Sequence, residues 1–225
     1  MFKSRKKLFE KKIRNLDINK ACGPDDIHPQ MLVELNDSIS APLAMIFNKT
    51  MSTGKIPNDW KMAFVTAIYK KGPKNRPENY RPISLTSIIC KLMETLIKDA
   101  VMKHVIENDL LSKCQHGFVP GRSTTTQLLS FLDKCADILS VGGTVDTVYF
   151  DFAKAFDTVP HKRLLLKLES YEIKGNILKW IKAFLIDRSQ VEKVSGKESV
   201  TSTHYKRGLI NGFYGSILTN VRSYP

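Results

Sequence analysis

A run of β-forming residues that ends in a carboxylate places the tightest limit on how this chain can fold. Residues 144–150 read TVDTVYF, and Asp151 follows them directly. β-branched and aromatic residues favour a strand with at least one buried face. A carboxylate at the end of such a strand is stable only when it is paired, hydrogen-bonded or bound to a metal ion. The pattern predicts a buried strand over residues 144–150, followed by a metal-binding aspartate or by the commoner helix cap.

Helical and strand-like patterns alternate along the rest of the chain. Apolar residues recur every three or four positions over residues 86–107, which predicts a long amphipathic helix. Residues 60–70 and 80–85 are rich in β-formers and flank a polar loop, which predicts a hairpin. A further helix is predicted to begin with Ser40 as its N-cap and to stop at Gly54. This mixture of helices and strands indicates an α+β or α/β fold.

The charge balance points to a polyanionic partner. The chain carries 35 Lys and Arg against 22 Asp and Glu, a formal net charge of +13. Such an excess favours nucleic acid, because phosphate contacts release condensed counterions, but a soluble basic protein without a specific partner fits as well. Residues 3–14 hold a cluster of lysines and arginines. They predict a basic helix that either contacts phosphates or forms a solvated face.

The cysteine pattern and the N-terminus bear on the compartment. The four cysteines are far apart and form no C-x-x-C pair, so they do not predict a zinc site and are expected to be reduced thiols. The basic start is not followed by the apolar core of a signal peptide. Apolar runs such as residues 62–69 are too short to span a bilayer. We expect an intracellular protein, nuclear or cytoplasmic, that is neither secreted nor membrane-bound. The sequence leaves its oligomeric state open.

Five segments, taken in order, resemble the reverse transcriptase domain of non-LTR (LINE-like) retrotransposons. Any one of them could arise by chance, but together they span residues 19–188 in the order that the family shows. The segments are residues 20–25 (KACGPD), 65–72 (VTAIYKKG), 79–85 (NYRPISL), 115–124 (QHGF followed by GRST) and 150–157 (FDFAKAFD). The finger motif of residues 79–85 separates this family from the group II intron maturases, which remain the alternative within polymerases.

The resemblance implies roles for single residues. Asp151 matches the first metal-binding aspartate of the palm, and the backbone carbonyl of Phe152 would be a second ligand. Phe156 matches the bulky residue under the sugar. Lys70 and Arg81 match the finger residues that grip the triphosphate, a task that suits a lysine point charge and an arginine fork. Without the family context, the lysine and arginine would be solvated charges and the phenylalanine plain core.

The resemblance also implies partners and a cofactor. The expected partners are an RNA template, a DNA primer and a dNTP, and the expected cofactor is Mg²⁺ or Mn²⁺ in a two-metal mechanism. Arg122, Lys71, Lys74 and Arg76 are weaker candidates for contacts with nucleic acid. The alternative function is a non-catalytic nucleic-acid-binding remnant, in which the basic surface is retained without the chemistry.

The sequence departs from the family pattern towards its C-terminus. The family continues with a G-x-P-Q-G-S motif and an A-D-D turn that supplies further metal ligands, and neither is recognisable here. Residues 215–218 (GSIL) match a part of the first motif, and the acids after residue 186 are single: Asp187, Glu192 and Glu198. We expect a fragment that is truncated before the second catalytic motif and is inactive alone.

These motifs predict an α+β chain built as the fingers and an incomplete palm of a right-hand polymerase, without a thumb. The predicted divisions are a basic N-terminal segment (1–18), the fingers (19–143), a partial palm with the first catalytic motif (144–198) and a degenerate tail (199–225).

Overall fold

The architecture is mixed α and β, as predicted, and it is described by a computed structural model. The structure describes residues 6–151, 159–194, 197–198 and 202–203. By their internal contacts, the described residues up to 100 and from 168 onward form one compact unit, and residues 101–151 and 159–167 form a second. No described helix combines the length and apolar character that crossing a bilayer requires.

Seven α-helices and five strands are present among the described residues. The helices are α1 (Lys6–Arg14), α2 (Pro29–Glu34), α3 (Asn36–Thr53), α4 (Ile88–Glu107), α5 (Thr124–Ser140), α6 (His161–Ser170) and α7 (Gly175–Leu185). The strands are β1 (Met62–Tyr69), β2 (Tyr80–Thr86), β3 (Ser189–Val194), β4 (Lys197–Glu198) and β5 (Ser202–Thr203). The predicted hairpin and the predicted long helix are therefore confirmed as β1–β2 and α4.

One sheet in the first unit joins sequence-distant segments. β1 pairs antiparallel with β2 along one edge and parallel with β3 along the other. The short strands β4 and β5 both pair with the far edge of β3. A backbone hydrogen bond of 3.1 Å from Ser189 N to Lys61 O starts the parallel ladder. β1 is thus the strand that both neighbours hold, and it carries the hairpin.

An aromatic chain forms the core between α1, α3 and the start of the sheet. The rings of Phe9 and Phe47 lie 5.2 Å apart, and Phe47 meets Trp60 edge-on at 5.6 Å. All three side chains are buried. Tilted and edge-on ring pairs add to the stabilisation that burial of their area provides. These contacts fix α1 and α3 against the segment that leads into β1.

A second stack links α7 to β3. Trp180 and Phe184 stack at 4.8 Å, and the guanidinium of Arg188 lies 4.2 Å from the centre of the Phe184 ring. Arg188 Nη1 also donates to the backbone oxygen of Phe184 at 3.2 Å. Trp180, Phe184 and Arg188 follow one another at intervals of four residues, so the two aromatic rings lie on one face of α7. Arg188 is buried and lies directly before β3, so the stack positions that strand.

The two predicted boundaries of α3 meet different outcomes. Gly54 ends α3 in the left-handed conformation (φ 68°), as predicted. Ser40 is not an N-cap: it lies inside α3 and donates to Asn36 O at 2.5 Å. Asn36 in turn donates from its side chain to Glu10 O in α1, so a tertiary contact extends α3 by a full turn.

The predicted strand over residues 144–150 is wrong. This segment has no regular secondary structure, and Val148, Tyr149 and Phe150 are 72%, 83% and 82% exposed. Strand-forming residues need a neighbouring strand to satisfy their backbone groups, and no described residue pairs with this segment. The prediction of a buried strand end at Asp151 fails with it, because Asp151 is exposed.

A close-packed turn supports the junction between β2 and α4. A Cβ atom at Gly23 would lie 2.4 Å from the carbonyl carbon of Thr86 and 2.5 Å from Ser87 N. Ser87 is itself the cap of α4, since its Oγ accepts from Cys90 N at 3.2 Å. Only glycine fits this position, because the atoms that a side chain would meet are backbone.

A buried thiol and a half-buried carboxyl form a polar cluster beside this junction. The Cys90 thiol is 3.5 Å from Glu94 Oε1 and 3.8 Å from Trp60 O. Burial raises the pKa of the Glu94 carboxyl to about 7, although the positive charge of Arg188 opposes the change. Burial likewise raises the pKa of the Cys90 thiol, and the negative charge of Glu94 adds to that effect. The cluster therefore favours neutral Glu94 and Cys90.

We predict that Gly23→Ala destabilises the first unit by about 2 kcal/mol or more, because the backbone at Thr86 and Ser87 must move. Asp26→Gly in the same turn should be neutral or stabilising, since Asp26 has a positive φ of 51°. Urea unfolding followed by tryptophan fluorescence measures both. Equal stability of Gly23→Ala and the wild type would contradict the close contact.

We also predict that the free energy of unfolding falls as pH rises from about 4.5 to about 7, because folded Glu94 retains a proton that the unfolded chain releases. The slope contributed by Glu94 approaches ~1.4 kcal/mol per pH unit. Urea titrations at several pH values should show that Glu94→Gln removes this contribution. The exposed Glu34→Gln should keep the wild-type pH dependence, and an unchanged slope in Glu94→Gln would refute the prediction.

Candidate functional site

The β1–β2 hairpin presents the first group of predicted site residues. Its register pairs Ile68 with Arg81 and Tyr69 with Tyr80. A hydrogen bond of 2.8 Å from Lys70 N to Asn79 O continues the ladder by one residue beyond the strands. The loop between residues 70 and 79 is therefore closed at its base by regular backbone pairing, and its position follows that of β1.

The register places Lys70 and Arg81 on the same face of the hairpin. Directly opposed residues of an antiparallel pair share a face, and side chains along each strand alternate between the faces. Arg81 lies opposite Ile68, and Lys70 follows Ile68 by two residues, where the backbone pairing continues just beyond β1. Ala63 and Val65 are buried on the other face, whereas both cations are exposed. The two predicted triphosphate-binding residues are thus diagonal neighbours on an accessible surface.

Two tyrosines at the base of the loop hold its backbone. The rings of Tyr69 and Tyr80 meet edge-on with centroids 5.6 Å apart. The Tyr80 hydroxyl donates to Lys74 O at 2.8 Å, and the Tyr69 hydroxyl donates to Gly72 O. The Lys74 ammonium lies 5.7 Å from the centre of the Tyr69 ring, within cation–π range. Each tyrosine therefore ties a strand end to the loop it supports.

Asn79 adds a further hydrogen bond that orders this loop. Its side-chain amide donates to Pro73 O at 2.7 Å, across the loop. Gly72 adopts a φ of 91°, and a Cβ there would lie 2.7 Å from Asn79 Nδ2. The sequence analysis missed Asn79 and the two tyrosines as loop-shaping residues. The available signal was an Asn-Tyr pair on one side of a Gly-Pro loop and a tyrosine on the other.

The tip of the hairpin is strongly basic. Its charged residues are Lys70, Lys71, Lys74, Arg76 and Arg81 against the single acid Glu78, all of them exposed. Arg76 lies 3.8 Å from Glu78, and because both side chains are about two-thirds exposed this ion pair stabilises the loop little. Between residues 70 and 81 the excess is four positive charges, which creates a local field that attracts phosphate.

Arg122 has a structural role in the second unit. Its Nη1 donates to the backbone oxygens of Lys113 at 2.8 Å, Ser112 at 3.3 Å and Gln115. The loop before α5 is therefore folded around this guanidinium group. The predicted contact between Arg122 and nucleic acid stays a prediction, and this loop is where it would occur.

Asp151 belongs to the second unit and ends the exposed segment described above. Phe152 and Phe156, the predicted metal-ligand carbonyl and the predicted sugar contact, lie outside the described residues. Within the described part of the chain, no three His, Cys, Asp or Glu residues lie close enough to hold a metal ion. Asp151 is the one carboxylate that the motif assigns to a metal site.

Comparison with known proteins agrees with the motif analysis. Residues 68–218 match the family described as reverse transcriptase (RNA-dependent DNA polymerase). A probable RNA-directed DNA polymerase from transposon BS of Drosophila melanogaster is 31% identical over 189 residues, covering 84% of this chain and 21% of that protein. The corresponding polymerase from transposon X-element of the same species is 30% identical over 152 residues, which cover 67% of this chain and 17% of that protein.

A third relative gives the same result. The RNA-directed DNA polymerase from mobile element jockey of Drosophila melanogaster is 29% identical over 188 residues, with 83% of this chain and 20% of that protein covered. The chain therefore spans about a fifth of the length of the curated relatives it matches. The family match begins at Ile68, near the end of β1, and includes the hairpin loop, β2 and Asp151.

Proposed function

Because the chain belongs to the reverse transcriptase family, among the RNA-directed DNA polymerases of non-LTR retrotransposons, we propose that its hairpin binds the triphosphate of an incoming dNTP. The observation that carries the proposal is the register of β1 and β2, which places Lys70 and Arg81 together on an accessible face. Lysine supplies a compact charge, and arginine supplies a planar fork that donates two parallel hydrogen bonds to phosphate oxygens. The ordered loop beside them keeps both cations on a fixed backbone.

The family uses divalent metal ions and binds a nucleic-acid template and primer. For this chain, the proposed partners are an RNA template and a DNA primer, and the proposed ion is Mg²⁺ or Mn²⁺. Asp151 would supply a carboxylate ligand, Phe152 its backbone carbonyl, and Phe156 the contact under the sugar. A metal ion supplies charge neutralisation at phosphate and activation of the attacking oxygen. The exposure of Asp151 leaves its carboxylate accessible to such an ion.

The proposed architecture is that of a right-hand polymerase. Residues 19–143 would form the fingers, and residues 144–198 would form part of the palm. The basic segment 1–18 precedes the fingers, and residues 199–225 follow the palm segment. The support for this division is the order of the five motifs together with the hairpin, whose two strands carry the finger motifs at residues 65–72 and 79–85.

We predict that Lys70→Ala and Arg81→Ala each weaken the binding of a dNTP with Mg²⁺ by about tenfold or more, because each removes a charge-assisted hydrogen bond. Isothermal titration calorimetry on the whole chain measures this loss. Lys103→Ala, which removes an exposed cation from α4, is the matched control and should bind like the wild type. Wild-type affinity in both hairpin variants would contradict the proposal.

Primer extension on an RNA template tests the chemistry. The sequence has no adjacent pair of aspartates after Asp151, and one carboxylate leaves two metal ions short of negative charge. We therefore expect no nucleotide incorporation with Mg²⁺ or Mn²⁺ by either the chain or its Asp151→Ala variant. Incorporation by the chain that is lost in Asp151→Ala would support the role of Asp151 and refute the expected inactivity.

A further inference from the structure

Helix α1 is held rigidly by one face. Phe9 and Ile13 are 2% and 0% exposed, and Phe9 contacts the ring of Phe47 in α3. Lys12 Nζ forms an ion pair of 2.6 Å with Asp99 of α4. Burial of two large side chains in a nine-residue helix fixes both its position and its rotation about its axis. The outward face of α1 is therefore a surface of fixed geometry.

Three cations occupy that outward face. Lys7, Lys11 and Arg14 lie at positions i, i+4 and i+7, and all three are exposed. At 1.5 Å per residue they span ~10 Å along the axis. Arg14 Nη2 lies 3.3 Å from Asp37 Oδ1, but this pair is largely solvent-exposed and remains open to exchange. Glu10, the one acid of the helix, is half-buried beside the row.

The helix dipole does not account for this charge distribution. Cations in the last turn of a helix are stabilised by the partial negative charge of its C-terminus, which explains Lys11 and Arg14. The first turn carries partial positive charge and favours acids, yet it contains no acidic residue and begins with Lys6 and Lys7. A lysine there is unfavourable for the isolated helix. An external polyanion lying along the helix would offset this cost.

We propose that the face formed by Lys7, Lys11 and Arg14 (the α1 basic row) binds the sugar-phosphate backbone of nucleic acid, at a contact separate from the hairpin. The proposal rests on the assignment of the chain as a nucleic-acid polymerase domain. Each strand of a duplex presents one phosphate per ~3.4 Å of its axis, so a row of ~10 Å lies alongside about three phosphate steps. No exposed aromatic residue lies in α1 to stack on a base, so binding is independent of sequence.

The same geometry disfavours an anionic membrane as the partner. A basic helix binds a bilayer by inserting its apolar face below the headgroups. In α1 that face is already buried against the protein, through Phe9 and Ile13. The surface of α1 that an external partner can reach is therefore the charged one. A charged surface without an apolar face binds a flexible phosphate chain better than it binds a lipid bilayer.

The test uses the whole chain and a fluorescent single-stranded RNA of mixed sequence, with anisotropy measured over a series of salt concentrations. Lys7→Gln/Lys11→Gln should weaken binding by about tenfold near physiological salt and reduce the slope of log K against log salt by about 1.4, which is ~0.7 per lost phosphate contact. The loss should be the same on poly(U) and poly(A). Lys49→Gln/Lys55→Gln, which removes two exposed cations from the same unit, is the control and should bind like the wild type.

An unchanged affinity and slope in Lys7→Gln/Lys11→Gln, or an equal loss in the control, would overturn the proposal. Equally tight binding to vesicles of anionic lipid, lost in the same variant, would overturn it too. Binding of a dNTP separates this proposal from the hairpin assignment: the α1 variant should keep it, and Lys70→Ala should lose it. If the α1 variant loses RNA affinity while Lys70→Ala binds a dNTP like the wild type, the α1 contact is supported and the proposed role of the hairpin is refuted.

Discussion

The pairing of β1 with neighbours on both edges determines where the hairpin stands. β2 continues directly from the loop, but β3 arrives from residues 189–194 and pairs in parallel with β1. The stack of Trp180, Phe184 and Arg188 orients the approach to β3, and the close-packed turn at Gly23 holds the far end of β2. Lys70 and Arg81 depend on all of these contacts, because their placement on a common face is a consequence of register and not of any direct contact between them.

Local patterns predicted the elements whose stabilising contacts are close in sequence. The hairpin follows from β-formers around a Gly-Pro loop, and α4 follows from its apolar periodicity. The parallel pairing of β1 with β3 joins segments more than a hundred residues apart, and no periodicity encodes such a partner. The same reason explains the error over residues 144–150: β propensity describes how well side chains suit a sheet and does not supply the neighbouring strand. The extended start of α3 depends on Asn36 contacting α1.

For the candidate site, the sequence identified the charged residues but not the hydrogen bonds that order the loop. The motif at residues 79–85 identified Arg81, and the register then placed Lys70 beside it. The hydrogen bonds that order the loop were missed, because the sequence shows that Asn79 and Tyr80 are present but not which carbonyl each one reaches. The raised pKa of Glu94 was equally hidden, since an acid in an amphipathic helix pattern is ordinarily solvated and its burial here depends on packing around Cys90 and Arg188. Asp151 keeps its role as a prediction from the motif.

The long-range pairing of β1 also has a consequence for the order in which the chain acquires structure during synthesis. The hairpin can form as soon as β2 has emerged from the ribosome, since hairpins close within microseconds. From that moment until residues 189–194 follow, the free edge of β1 offers unpaired N–H and C=O groups to any extended chain nearby. At typical rates of synthesis this interval lasts on the order of 5–20 s. The pairing of β3 with β1 closes this edge, and it therefore ends the exposure of the nascent protein to edge-to-edge aggregation.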